Sequence, residues 1–102
     1  MSITLSAYLE TLDEDIPPTE LSPALLALWW AGKKDWKEAH RLTQAHEGEA
    51  DSDWVHAWLH RQEDDIPNAR YWYRRAHRTM QHGDLQTEWR AIVTSLLAGS
   101  GY

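Results

Sequence analysis

Helical spacing interrupted by strong stop and start signals is the feature that most constrains this chain. Six segments carry apolar residues at i, i+3 and i+4, and each is bounded by proline, glycine or an acidic capping residue. The predicted helices cover about 2–13, 23–32, 35–48, 51–64, 66–81 and 84–98. Strand signals are weak because β-branched residues are few and no clear period-two run occurs. The pattern predicts one all-α domain of about six helices over 1–102, with antiparallel neighbours because the connections are short.

Composition narrows the function classes. The sequence contains no cysteine, which excludes disulfides and thiolate metal sites. No basic leader and no apolar run of membrane-spanning length is visible, so a cytoplasmic protein is expected. The net charge is -6, and the charge is uneven: residues 1–53 carry four basic and eleven acidic side chains, against six and five in residues 54–102. An acidic chain repels nucleic acid, so no nucleic-acid partner is expected.

The central part of the sequence contains an internal repeat. Asp35 and Ala39 recur thirty residues later as Asp65 and Ala69, and each pair follows a helical segment of similar length. Internal repetition at such a period is typical of helical-repeat folds. The repeat predicts two helical hairpins, each made of a helix, a short turn and a second helix.

The second hairpin contains "NARYWYRRA", which resembles the second helix of Sel-type tetratricopeptide repeats. The longer stretch around it is similar to a group of small, uncharacterised bacterial proteins. The resemblance covers about 21–80 and implies core hairpins there, with flanking helices at about 2–13 and 84–98. It implies a non-catalytic scaffold that binds a protein or peptide, with no cofactor. Thr43 stands where the first hairpin should have an aromatic residue.

The fifth predicted helix separates into two faces. Trp72 and Tyr73 fall on the core-facing stripe, whereas Arg70, Arg74 and Arg78 lie on the opposite side. The arginines are either a solvated basic face or a docking patch for an acidic peptide or phosphate, since guanidinium groups bind both.

The fourth predicted helix gives two conflicting readings. Simple periodicity buries Trp54 and Trp58, but the repeat register turns them toward the concave groove in which such repeats hold peptides. We therefore name Trp54, Trp58, Arg61 and Gln62 as the candidate partner surface, with the three arginines as its basic flank. The first or last helix could instead fill the groove, as small cores recruit large apolar surfaces.

An alternative function rests on the other side of the same helix. His56 and His60 stand one turn apart, with Glu63 one turn further on. Imidazole and carboxylate ligands at this spacing are compatible with a transition-metal or small-ligand site. The spacing is common by chance, and converging side chains with shifted pKa values would favour this reading over the scaffold.

No nucleophile–base pairing or phosphate-binding loop can be read from the sequence, so no enzymatic activity is expected. "PALLALWWAG", in the second predicted helix, is apolar nearly all round. Such a helix occupies either a central position or an interface. A homodimer is therefore a second possible form of partnership, beside an unidentified protein or peptide.

Overall fold

A computed structural model describes residues 3–99, and it confirms the all-α fold with six helices. The helices are α1 (Leu5–Thr11), α2 (Pro23–Gly32), α3 (Trp36–Ala45), α4 (Ala50–Gln62), α5 (Ile66–Arg75) and α6 (Leu85–Gly99). No helix within this described range is long and apolar enough to cross a membrane.

Helix starts follow the capping residues of the sequence. The Ser22 hydroxyl accepts a hydrogen bond from the Leu25 amide at 3.3 Å, with Pro23 in the first turn of α2. Asp84 accepts from the Thr87 amide at 2.9 Å and begins α6. These caps satisfy amide groups that have no partner inside the helix. The first helix is shorter than predicted, since it covers Leu5–Thr11 rather than 2–13, and residue 2 lies outside the described range.

The turns of the two predicted hairpins have the same geometry, thirty residues apart. Lys34 and Asp64 both adopt left-handed backbone conformations, with φ of 67° and 63°. In each turn the next residue's amide donates to the carbonyl five residues earlier, at 2.9 Å. This is the Schellman arrangement that ends many helices, here without its usual glycine. The repeat seen in the sequence therefore has a counterpart in backbone hydrogen bonding.

The fifth helix ends earlier than predicted, and the reason is a third such turn. It ends at Arg75 rather than near residue 81. His77 has a φ of 59°, and the Arg78 amide donates to the Tyr73 carbonyl at 2.9 Å. The prediction that Arg78 belongs to a helical basic face is therefore wrong. Arg78 lies in the connection between α5 and α6.

Helix α4 occupies the centre of the molecule. The pairs α2/α3 and α4/α5 pack most extensively, and α4 also packs against α2, α3 and α6. The apolar α2 is likewise central: Trp29 is fully buried in the main core. Two distant bonds fix the outer helices to α2, because the Trp89 indole donates to the Leu28 carbonyl at 3.0 Å and the Tyr8 hydroxyl to the Leu25 carbonyl at 2.6 Å.

Candidate metal centre and neighbouring surfaces

Three imidazoles converge where α3 meets α4. His40 comes from α3, and His56 and His60 come from successive turns of α4. The Nε2 atoms of His40 and His56 lie 3.1 Å apart. One ligand nitrogen from each of the three residues falls within 4.8 Å of the others. The two histidines of α4 are buried, whereas His40 is half-buried at the edge of the cluster.

Two indole rings hold this cluster in place. The His40 ring stacks on Trp36, with centroids 4.6 Å apart and planes 12° from parallel. The His56 ring stacks on Trp72 of α5 at 4.0 Å and 22°. Trp36 is itself fixed, since its indole N–H donates to the Leu59 carbonyl at 3.0 Å. The imidazoles are therefore held by packing from three helices, which limits their reorientation.

The surroundings keep two of the imidazoles neutral. Burial, together with the neighbouring His60 and His40, lowers the pKa of His56 to about 3. Burial also lowers the pKa of His40, with His60 as the next cause. A neutral imidazole has a free nitrogen lone pair, and this is the form that binds metal ions.

One polar atom in the cluster has no partner. His56 Nδ1 is buried and makes no hydrogen bond within residues 3–99. Buried polar atoms are normally paired, because an unpaired one costs about 1–3 kcal/mol. If the His56 proton resides on Nδ1, the Nε2 lone pair points at the cluster. The arrangement leaves that lone pair available to an N–H of His40 or to an ion.

The carboxylate predicted as the third ligand has a different position. Glu63 Oε1 lies 2.7 Å from His60 Nδ1, so Glu63 is a hydrogen-bond partner of His60. The third ring nitrogen of the cluster belongs to His40, which the sequence prediction of His56, His60 and Glu63 did not include. His40 and His56 are on different helices, and no spacing within one helix could have linked them. Their juxtaposition depends on how α3 packs against α4.

The predicted groove is filled by α6. Trp58 is only 3% exposed, and its indole donates to the Leu85 carbonyl at 3.0 Å. The prediction that Trp58 faces an open groove is therefore wrong. Both conflicting readings of α4 hold in part, because its histidine face and its Trp58 face are each buried against other helices. The last helix provides the covering surface.

Arg61 of the predicted surface is also occupied within the chain. Its Nη1 atom donates to Glu88 Oε1 at 2.5 Å, and its Nη2 atom donates to the Gly83 carbonyl. The other carboxylate oxygen of Glu88 accepts from the Tyr73 hydroxyl at 2.5 Å. Burial, with the hydrogen bond to Glu88 as the next cause, raises the pKa of Tyr73. This network joins α4, α5 and α6.

The remaining residues of the predicted surface stay accessible. Gln62, Arg70 and Arg74 are exposed. Trp54 is half-buried, and the Arg78 guanidinium lies over its indole at 3.8 Å. These two side chains border a cleft of about 550 Å³ between the end of α5 and the start of α6. Of the predicted surface, these accessible residues are the ones that a partner could reach.

No protein-family model matches the chain, and comparisons with curated proteins and with solved structures also found no match.

Proposed function

We propose that this protein binds a late divalent transition-metal ion, such as Zn²⁺, through His40, His56 and His60. The observation that carries the proposal is the convergence of three imidazoles from two helices, with two Nε2 atoms facing each other at 3.1 Å. Nitrogen ligands at about 2.0–2.1 Å from a tetrahedral zinc ion lie about 3.3 Å apart. The observed separation is close to that distance.

The surroundings of the cluster support this function. His60 Nδ1 is bonded to Glu63, so Nε2 is the nitrogen of His60 that stays free to bind a metal ion. Such a carboxylate partner raises the basicity of a metal-bound imidazole. Three protein ligands leave a fourth position for water or a small ligand. We propose metal binding without a catalytic reaction.

Proton competition should be weak at this site. The pKa values of His40 and His56 are lowered by burial, so a metal ion displaces few protons from them at pH 7. We expect binding to persist below pH 6, where isolated imidazoles become protonated.

Calorimetric titration of the full chain with Zn²⁺ tests the proposal. We expect one ion per chain, and Co²⁺ should give the strong visible absorption of a tetrahedral site. The His40→Gln variant should lower the affinity by about two orders of magnitude, since it removes one of three ligands. His40 is half-buried, so this change disturbs the core less than a change at His56.

The matched control is His82→Gln. His82 is exposed in the connection before α6, and its loss should leave the affinity unchanged. Absence of heat and of Co²⁺ absorption in the folded parent protein would contradict the proposal. Equal losses from the two variants would also contradict it, because surface histidines would then explain the binding.

The protein- or peptide-binding function predicted from the sequence stays a prediction. Two of its four groove residues, Trp58 and Arg61, are engaged within the chain. The observation that still favours partner binding is the open cleft beside Trp54 and Arg78.

A further inference from the structure

We propose that this chain holds a second divalent transition-metal ion beside the first, bound by His60 Nδ1, Glu63 and Asp65. These side chains offer one ring nitrogen and two carboxylates, and one ligand atom from each lies within 4.8 Å of the others. Imidazole and carboxylate are both ligands of Zn²⁺, and imidazole also suits Cu²⁺. His60 belongs to both groups of ligands, so this proposal rests on the three-imidazole site proposed above.

The turn after α4 brings the three ligands together. Asp64 has a left-handed backbone, with φ of 63°, and the Asp65 amide donates to the His60 carbonyl at 2.9 Å. This hydrogen bond folds the chain back and places Asp65 beside His60. Glu63, one turn after His60, contacts the same ring, with its Oε1 atom 2.7 Å from Nδ1. The ligands therefore come from one short segment whose backbone is held by hydrogen bonds.

The Asp65 side chain is not used to cap the helix that it precedes. At the equivalent position of the first hairpin, Asp35 accepts a hydrogen bond from the Glu38 amide at 3.1 Å and caps α3. The Asp65 side chain makes no such bond to α5. One of its oxygens accepts from the Asn68 side-chain amide at 3.3 Å, and the other has no hydrogen-bond partner within residues 3–99. The Asp65 carboxylate is therefore available as a ligand.

Among the described residues, Glu63 and Asp65 have no lysine or arginine within 4.0 Å of their carboxylates. The first hairpin differs at this point, because the position thirty residues before Glu63 holds Lys33 and the position thirty before His60 holds Trp30. The same turn geometry therefore carries this ligand set only in the second hairpin. Two carboxylates without a basic side chain beside them attract a cation.

The two ions share the His60 ring. The first ion binds Nε2, and the second takes the place of the proton on Nδ1, which leaves to solvent. The positive charge of the first ion makes that N–H group more acidic, so the ring binds both ions as a bridging imidazolate. The Glu63 side chain is 41% exposed, so water can complete the coordination of the second ion. We therefore expect the second ion to bind more weakly than the first.

Equilibrium dialysis of the full chain against Zn²⁺, with bound metal measured by atomic absorption, tests the second site. We expect one ion per chain at low free Zn²⁺ and a second at higher concentration. Asp65→Asn should weaken the second step by about tenfold or more, since it removes a charged ligand, and should leave the first step unchanged. Asp64→Asn is the matched control: it removes a neighbouring carboxylate outside the ligand group, and asparagine tolerates the left-handed backbone there. It should change neither step.

Loading with Cu²⁺ tests whether the His60 ring is shared. A bridging imidazolate couples the electron spins of two Cu²⁺ ions, so the electron paramagnetic resonance signal per bound copper should fall as the second step fills. In Asp65→Asn loaded with one Cu²⁺ per chain, the signal should account for all of the bound copper.

The possible failures are distinguishable. A parent protein that shows the Co²⁺ absorption of the first site but binds only one Zn²⁺ would overturn this proposal and leave the proposed function intact. Equal weakening of the second step by Asp65→Asn and Asp64→Asn would overturn it, because negative charge alone would then explain the binding. Two bound Cu²⁺ ions with uncoupled spins would also overturn it, whereas absence of both steps would contradict the proposed function as well. Far-UV circular dichroism confirms that each variant is folded.

Discussion

The two buried faces of α4 differ in how their polar groups are satisfied. On the face toward α6, Arg61 and Trp58 each have a specific partner, and the Glu88 carboxylate accepts on both oxygens. On the face toward α3 and α5, His56 Nδ1 has no partner among the described residues, and the Nε2 atoms of two imidazoles face each other. The side chains of both faces are similarly buried, so burial alone does not separate them.

This difference separates a face whose polar groups are all paired from one that has capacity for the proposed ligand. A fully paired network gives an interface its geometry, and removing one member leaves a buried charge unpaired. A cluster of neutral nitrogens with an incomplete hydrogen-bond set has capacity left for a ligand. We therefore assign α6 docking to the fold and the histidine face to the proposed function.

The largest expected effect concerns the structural face. Arg61→Ala should lower the free energy of unfolding by about 3–5 kcal/mol, because it leaves the Glu88 carboxylate buried without its cation. Urea denaturation followed by tryptophan fluorescence measures this change. Arg90→Ala, an exposed arginine on α6, should cost less than about 0.5 kcal/mol. A small loss of unfolding free energy in Arg61→Ala would contradict the assignment of the α6-facing side of α4 to the fold.

Acid should destabilise the metal-free protein through the histidine face. The pKa of His56 is about 3 in the folded protein, against 6.5 when unfolded. Above pH 6.5 the imidazole is neutral in both states, so the contribution of this buried side chain to the free energy of unfolding is complete. It is lost as the pH falls from 6.5 toward 3, because the unfolded chain then binds a proton that the folded one excludes. We expect a loss on the order of a few kcal/mol over this window in the metal-free protein, measured by urea denaturation at several pH values.

The His56→Leu variant is the control for this pH dependence. It removes the titrating group but keeps an apolar side chain at the buried position, so its slope between pH 6.5 and 3 should be smaller. An unchanged slope would show that carboxylates elsewhere in the chain cause the acid sensitivity.

Metal should stabilise the histidine face in proportion to its occupancy. At a free Zn²⁺ concentration one hundred times the dissociation constant, we expect a gain of about 2.7 kcal/mol. For a domain of this size, each kcal/mol raises the melting temperature by about 4–8 °C. Thermal scans of the parent and of His40→Gln measure the effect. Equal stabilisation of the two proteins by Zn²⁺ would contradict metal binding at the histidine face.

The smallest expected effect tests whether Glu63 orients the His60 ring or binds the metal ion directly. Glu63→Gln keeps a side chain of similar size but weakens the partner of His60 Nδ1. The zinc affinity should fall by about tenfold, at the low end of measured effects for such carboxylates. The stability without metal should change by less than about 1 kcal/mol, because Glu63 is partly exposed. A loss as large as that of His40→Gln would make Glu63 a direct ligand.

Sequence reasoning succeeded where a feature depends on residues close in the chain. The caps at Ser22 and Asp84 and the end of α2 at Gly32 followed from local signals. The end of α5 was missed because His77 occupies a left-handed position without the glycine that usually marks one.

The site was less predictable because it depends on packing between helices. His56 and His60 were visible as a pair one turn apart, but His40 joins them only through the α3–α4 contact. Trp58 and Arg61 are likewise covered by α6. No short-range pattern in the sequence specifies that α6 packs back across α4. Whether the Trp54 and Trp58 face of α4 is a groove or part of the core therefore depends on the packing of the whole molecule.

The long bond between Trp89 and Leu28 has a consequence for folding kinetics. The two hairpin turns close over a few residues, so the contacts within the pairs α2/α3 and α4/α5 are local in sequence and can form early. Trp89 must meet a carbonyl 61 positions away in the chain, which requires that both pairs already lie together. We expect the docking of α6 to be the late, slow step of folding, and changes at Trp89 to speed unfolding far more than they slow folding.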